Sequence, residues 1–167
     1  MANRRTGRKE TGCVYTPPDI VNEVLNAAGY IPTRDLQSMK ILEPSCGNGA
    51  FLVEIASRLV ESIRLRYPIE GSVSQLDEEI ATALSRNIMA IEIDGDALDE
   101  AKGRVLSMLE EKYSYHPMDA DSMFGSWHAG DALEYLPTDG TRYDFVVGNP
   151  PYVRIHNVGD ICNLREI

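Results

Sequence analysis

Apolar positions along the chain recur at two periods. After Pro17, the residues Ile20, Val21, Val24 and Leu25 fall on one face of a helix. Thr16 is placed to cap that helix, Pro17 suits its first position, and Asp19 completes a T-x-x-D capping box, so the helix is expected to begin near Pro17. In "KILEPSCGNGAFLVEIASRLVESIRLRY" a short apolar run leads into a loop containing Pro and Gly. Phe51, Ile55, Leu59 and Ile63 then return at helical spacing. This predicts a strand, a turn and a helix.

The same alternation continues. "SVSQLDEEIATAL" predicts a helix and "NIMAIEI" a buried strand. "GDALDEAKGRVLSMLEEKY" predicts an amphipathic helix with acids early and Lys112 late. "WHAGDALEYL" gives a weaker third strand and turn, and "YDFVVGNPPY" a fourth strand. Strands that alternate with helices imply an α/β fold, a mainly parallel sheet with helices on both faces. Ligands of such sheets lie beyond the carboxyl ends of the strands. Here those ends are the loops 43 to 49, 92 to 95, 130 to 132 and 148 to 152, which hold nearly all the unusual residues.

Composition narrows the class. The chain has 167 residues, the size of one domain, and 43% hydrophobic with 25% charged residues excludes a disordered or fibrous protein. No apolar run reaches the length of a membrane helix and no signal-like stretch opens the chain, so a cytoplasmic protein is expected. Cys13, Cys46 and Cys162 form no CxxC pair, and His116, His128 and His156 stand at no ligand spacing, so reduced thiols and no metal are expected. The net charge of -10 opposes a nucleic-acid surface over the whole molecule. Arg4, Arg5, Arg8 and Lys9 make a basic N-terminal tail, residues 1 to 14, read as a solvated end, and Arg154 follows the "GNPPYV" stretch.

Chemistry concentrates in the strand-end loops. Gly47 and Gly49 allow close backbone approach to a ligand at a helix N-terminus, although Leu52 stands where a dinucleotide fingerprint needs a third glycine. Glu92 ends an apolar strand, where an acid can accept hydrogen bonds from ribose hydroxyls, while Asp94 reads as a helix cap. Asp131 could cap the turn after it or accept from the amine of a purine. Together the three loops suit a nucleoside carrying an amino acid, as in S-adenosylmethionine. In "GNPPY" the oxygen of Asn149 and a backbone carbonyl can both accept from one NH2 group, the prolines keep them aimed, and Tyr152 offers a face for stacking. Such a pocket leaves the nitrogen lone pair facing an electrophile.

"YTPPDIV" at 15 to 21, "LEPSCGNGAFL" at 42 to 52, "IEIDGDAL" at 91 to 98, "GDAL" at 130 to 133 and "NPPYVR" at 149 to 154 resemble, in order, the motifs of N6-adenine DNA methyltransferases of the TaqI-like branch found in restriction-modification systems. The resemblance implies a Rossmann-like methyltransferase fold dependent on S-adenosylmethionine. It implies that Tyr15, Thr16 and Pro17 pack beside the methionine part of that cofactor, and that Glu43, Pro44, Ser45 and Gly47 line its pocket. Glu92, with Ile93, would hold the ribose, and Asp131, with Ala132, the cofactor's adenine. Asn149 and Pro150 would accept from the amino group of an adenine flipped out of double-stranded DNA, with Tyr152 stacked on its ring. Cys46 is not expected to act as a nucleophile, since methyl transfer to an amine needs no covalent intermediate.

The family's catalytic domain continues with about three more strands and a target recognition domain. Residues 15 to 167 are therefore expected to be a partial catalytic domain, apparently truncated, with the "FVV" strand on an open edge. A further C-terminal polypeptide or a restriction subunit is an expected partner. The alternatives are a non-catalytic remnant or subunit that binds the cofactor, and a methyltransferase for protein glutamine or RNA.

Overall fold

The structure is a computed structural model that describes residues 16–67, 72–135 and 140–150. Strand β1 (Ile41–Glu43) is buried at all three positions. It lies between β2 (Ile88–Glu92) and β4 (Phe145–Val146), and β3 (Trp127–Ala129) lies beyond β2. Every neighbouring pair is parallel, with Ile41 opposite both Ile88 and Phe145, and Ala90 opposite Trp127. The sheet order is β3-β2-β1-β4, so β4 occupies an edge among the described strands, as its sequence predicted.

Alternate residues divide each strand between two faces. Ile41, Ile88, Ala90 and Trp127 join the main hydrophobic core. That core is built around α2 (Ala50–Arg66), because α1 (Pro18–Ala28), α3 (Val73–Asn87) and α4 (Gly95–Tyr113) all pack against it. Phe51, Leu52, Ile55, Leu59 and Ile63 of α2 are all buried, each worth roughly 1.5–3 kcal/mol. The predicted helical mass sits unevenly. The second face is approached by the short α6 (Ala132–Tyr135), whose Tyr135 stacks on His128 with ring centroids 5.0 Å apart. Another short helix, α5 (Ala120–Met123), precedes β3 and carried no sequence signal.

Local chemistry explains the helix ends. Ser72 and Gln75 form a reciprocal capping box on α3, and the Asp94 side chain accepts the Asp96 N–H at the start of α4. The start of α1 departs from the predicted capping box. Pro17 itself occupies the cap position and Pro18 the first helical position, and no side chain caps the helix. Thr16 lies one residue too early to reach the first turn. The buried stripe of α1 is also narrower than expected: Val21 and Leu25 are buried, whereas Ile20 and Val24 remain 43% and 37% exposed. No helix among the described residues is long and apolar enough to cross a membrane.

One buried cation ties α1 to α2. The guanidinium of Arg58 donates to Glu54 Oε1 at 2.7 Å, to Asn26 Oδ1 and the Tyr30 carbonyl at 2.9 Å, and to Asn22 Oδ1 at 2.7 Å. Its partners on α1 and in the turn after it satisfy a charge that burial would otherwise penalise heavily. Arg58→Met should cost about 3–5 kcal/mol, because it strands Glu54 and three oxygens around an apolar side chain. Urea unfolding followed by far-ultraviolet dichroism checks this; a loss under about 1 kcal/mol would contradict the assigned role.

Candidate active site

Parallel pairing sets the carboxyl ends of the four strands at one edge of the sheet. With β2 on one side of β1 and β4 on the other, the strand order reverses at β1, the place where such sheets open a crevice. The loop after β1 runs from Pro44 to Gly49 and turns directly into α2. Gly47 and Gly49 adopt φ of +52° and +83°, and a Cβ at Gly49 would stand 2.7 Å from that of Ala101 in α4. Glycine is required at this second position on both counts.

Glu92, at the end of β2, joins the loops. Its Oε2 accepts the Gly47 N–H at 2.7 Å and its Oε1 the Asp94 N–H at 3.1 Å. Its carbonyl accepts the Gly130 N–H at 2.8 Å. Each carboxylate oxygen keeps lone-pair capacity for a further donor, such as a hydroxyl. Cys46 N–H donates to the Ile91 carbonyl at 3.0 Å, which closes the same seam.

Glu43 lies beneath this seam and is only 2% exposed, with its Oε2 lacking any hydrogen-bond partner among the described residues. Burial, and then the charge of Glu92, hold its carboxyl pKa well above the usual carboxylate range. The Ser45 hydroxyl is likewise buried without a partner. Two such orphans two residues apart are costly, about 1–3 kcal/mol each, and a bound group with donors and acceptors would relieve them. The residues therefore fit the cofactor that their sequence suggested. Cys46 is buried, and burial followed by the neighbouring carboxyls of Glu43 and Glu92 pushes its thiol up, which disfavours the thiolate a nucleophile needs.

The remaining predicted residues are distributed as follows. Asp131 is exposed and its Oδ1 accepts the Leu133 N–H at 2.9 Å, so it caps α6, and its other oxygen accepts no hydrogen bond among the described residues. Ala132 is half-buried, and Ile93 is 73% exposed at the rim. Pro44 is half-buried and Pro17 exposed. Gly148 packs on Glu43: a Cβ there would stand 3.7 Å from Glu43 Cγ. Asn149 follows, half-buried, and its Nδ2 donates to Thr16 Oγ1 at 3.3 Å. Pro150 is exposed. Tyr15, Pro151 and Tyr152 lie outside the described residues, as do the basic tail and Arg154.

Some supporting residues carried no readable signal. Arg104 of α4 donates to the Asn48 carbonyl at 2.9 Å, and Asn48 Nδ2 donates to Glu100 at 3.3 Å, so α4 clasps the glycine loop from outside. Both are charged positions on an amphipathic helix, indistinguishable in sequence from its solvated face. A polar cleft of about 390 Å³ lies at the opposite end of β2, lined by Gln37, Glu79, Arg86 and Asn87 among others. Its side chains already bond one another or nearby carbonyls, as Gln37 does Glu79 at 2.7 Å and Asn87 the Gln37 carbonyl at 2.8 Å. The chemistry-bearing residues are at the other edge.

The chain is 32% identical over 152 residues to the Type II methyltransferase M.BstVI of Geobacillus stearothermophilus, an alignment covering 89% of this chain and 26% of that protein. It is 34% identical over 145 residues to M.XhoI of Xanthomonas vasicola, covering 87% and 25%, and 30% identical over 148 residues to M.PaeR7I of Pseudomonas aeruginosa, covering 89% and 24%. The chain thus spans about a quarter of the length of these relatives. The N-6 DNA methylase model matches residues 2–160, nearly the whole chain, and the chain belongs to that family.

Proposed function

We propose that these residues form the cofactor-binding and catalytic part of an enzyme that transfers a methyl group from S-adenosylmethionine to N6 of adenine in DNA. The observation that carries this reading is the pairing of β4 with β1, which sets Gly148 against Glu43 and Pro44, where the glycine loop begins, with Asn149 next in the chain. Acceptors for an amine therefore adjoin a wall suited to a nucleoside and amino acid.

Each residue has a defined task. Glu92 would take ribose hydroxyls on the lone pairs left by Gly47 and Asp94, and Asp131 would accept from the cofactor's adenine. Glu43 and Ser45 would meet its amino-acid end. Bound S-adenosylmethionine supplies a methyl on a cationic sulfur: the amine's lone pair forms the new N–C bond, the S–C electron pair returns to sulfur, and the surplus proton leaves to water. Asn149 Oδ1 and the Pro150 carbonyl would accept both amine hydrogens and leave the lone pair aimed at that methyl group. This is orientation and charge placement. Tyr152 would stack on the flipped base.

In a polypeptide extended to the length of the relatives, Asn149→Ala should lower methyl transfer to DNA about 100-fold or more at saturating cofactor. S-adenosylmethionine affinity by calorimetry should stay within about threefold, less than one ordinary hydrogen bond. Transfer equal to that of the parent would sink the reading. Glu92→Gln, which halves the acceptor oxygens, should weaken cofactor binding about tenfold or more. Undiminished affinity would remove Glu92 from the ribose.

The buried acid gives a separate check. Because the folded-state pKa of Glu43 is raised, its contribution is fully favourable below its unfolded value of 4.5 and is lost as pH rises from there towards the folded value. Glu43→Gln should flatten the fall in urea midpoint between pH 5 and pH 8. Parallel profiles for variant and parent would show that the carboxyl is not held neutral.

A further inference from the structure

We propose that Thr16 is a positioning residue for Asn149: its hydroxyl oxygen takes the Nδ2 hydrogen and so turns Oδ1 towards the incoming amine. The inference rests on the function proposed above and adds a residue to it.

A carboxamide is nearly symmetric in shape, and its outer torsion is broad and roughly two-fold. Packing alone therefore chooses poorly between the NH2 and the oxygen. A partner that accepts from the NH2 leaves the oxygen facing the substrate. If the NH2 faced an adenine amine, donor would meet donor. Asn149 Nδ2 donates to Thr16 Oγ1 at 3.3 Å across 133 residues of sequence, and this leaves Oδ1 to accept.

Thr16 is built to hold that partner still. It is only 6% exposed. Its hydroxyl does not cap α1, because Pro17 takes the cap position and no side chain caps the helix. The proline that follows restricts Thr16 to extended backbone, and the β-branch stiffens its χ1. The helix starting two residues later is clamped to α2 through Arg58, which donates to Asn22 and Asn26 of α1. The hydroxyl is thus carried on the same rigid body as the glycine loop.

The test compares Thr16→Val, of equal shape without the hydroxyl, with Thr16→Ser, which keeps it. In this chain, the side-chain 15N–1H pair of Asn149, identified by its loss in Asn149→Asp, should be shifted and slow to exchange in the parent and in Thr16→Ser. It should revert to a freely solvated amide in Thr16→Val. In the polypeptide of the relatives' length, Thr16→Val should lower kcat about 3- to 10-fold at saturating cofactor, and Thr16→Ser should recover most of the loss. An unchanged Asn149 amide in Thr16→Val overturns the proposal. So does weakened cofactor binding with normal kcat, which would make Thr16 a cofactor contact only. If Asn149→Ala itself remains fully active, both this proposal and the functional reading fall. An Asn149→Ala loss without a Thr16→Val loss removes the positioning role alone.

Discussion

Parallel pairing on both sides of β1 is the constraint on which the molecule depends. The strand has three residues, yet it carries β2 on one side and β4 on the other. Parallel neighbours cannot be joined by tight turns, so the chain must cross over between them, and α2 with α3, then α4, fill those crossings. The result is that residues 45 and more apart in sequence, such as Gly47 and Glu92, finish at one edge within 2.7 Å. Every chemical feature of the site follows from that convergence.

The electrostatics of that edge are one-sided. Burial, which removes the water that would support a second ionised carboxyl, and then the nearby charge of Glu92 hold the Glu43 carboxyl pKa well above the usual range. A wall lined in this way suits a cationic ligand, since a positive group would be drawn to Glu92 and could coax Glu43 towards ionisation. It opposes a polyanion. The overall charge of -10 acts in the same direction, so a DNA backbone gains little from the described surface. Under the proposed function, the described residues would hold a small cation and a single flipped base, and contacts to phosphate would lie outside them.

Much of this was legible in the sequence wherever local rules and tertiary demands coincided. The helix Gly95–Tyr113 matches its predicted span because Asp94 caps it and Leu98, Ala101, Val105 and Leu109 recur on its buried face. Glu92 stood out as an acid closing an apolar strand, and its partners are backbone N–H groups any sequence provides. Arg58 was not legible. A basic residue inside an amphipathic pattern reads as solvated, and only the arrival of Asn22, Asn26 and the Tyr30 carbonyl makes its burial affordable. The fourth strand was read too long. Its apolar run continues through Val147, but β1 offers it only two paired positions, and Val146 stays 63% exposed.

Thr16 shows why a local motif misleads when two structural demands share it. T-P-P-D satisfies the spacing of a capping box, yet two successive prolines leave the first turn with fewer N–H groups to cap, and the N-terminal proline takes the cap position itself. The hydroxyl released from that duty lies near the end of β4, a strand that reaches it only through the sheet. Asn149 then finds an acceptor whose position is fixed by α1, by Arg58 and by α2, the helix that begins at the glycine loop. The start of one helix, the cofactor loop and the Asn-Pro turn therefore move as one body. For in-line transfer this matters more than the strength of any single contact, since an amine misplaced by an ångström relative to the methyl group loses most of what orientation provides.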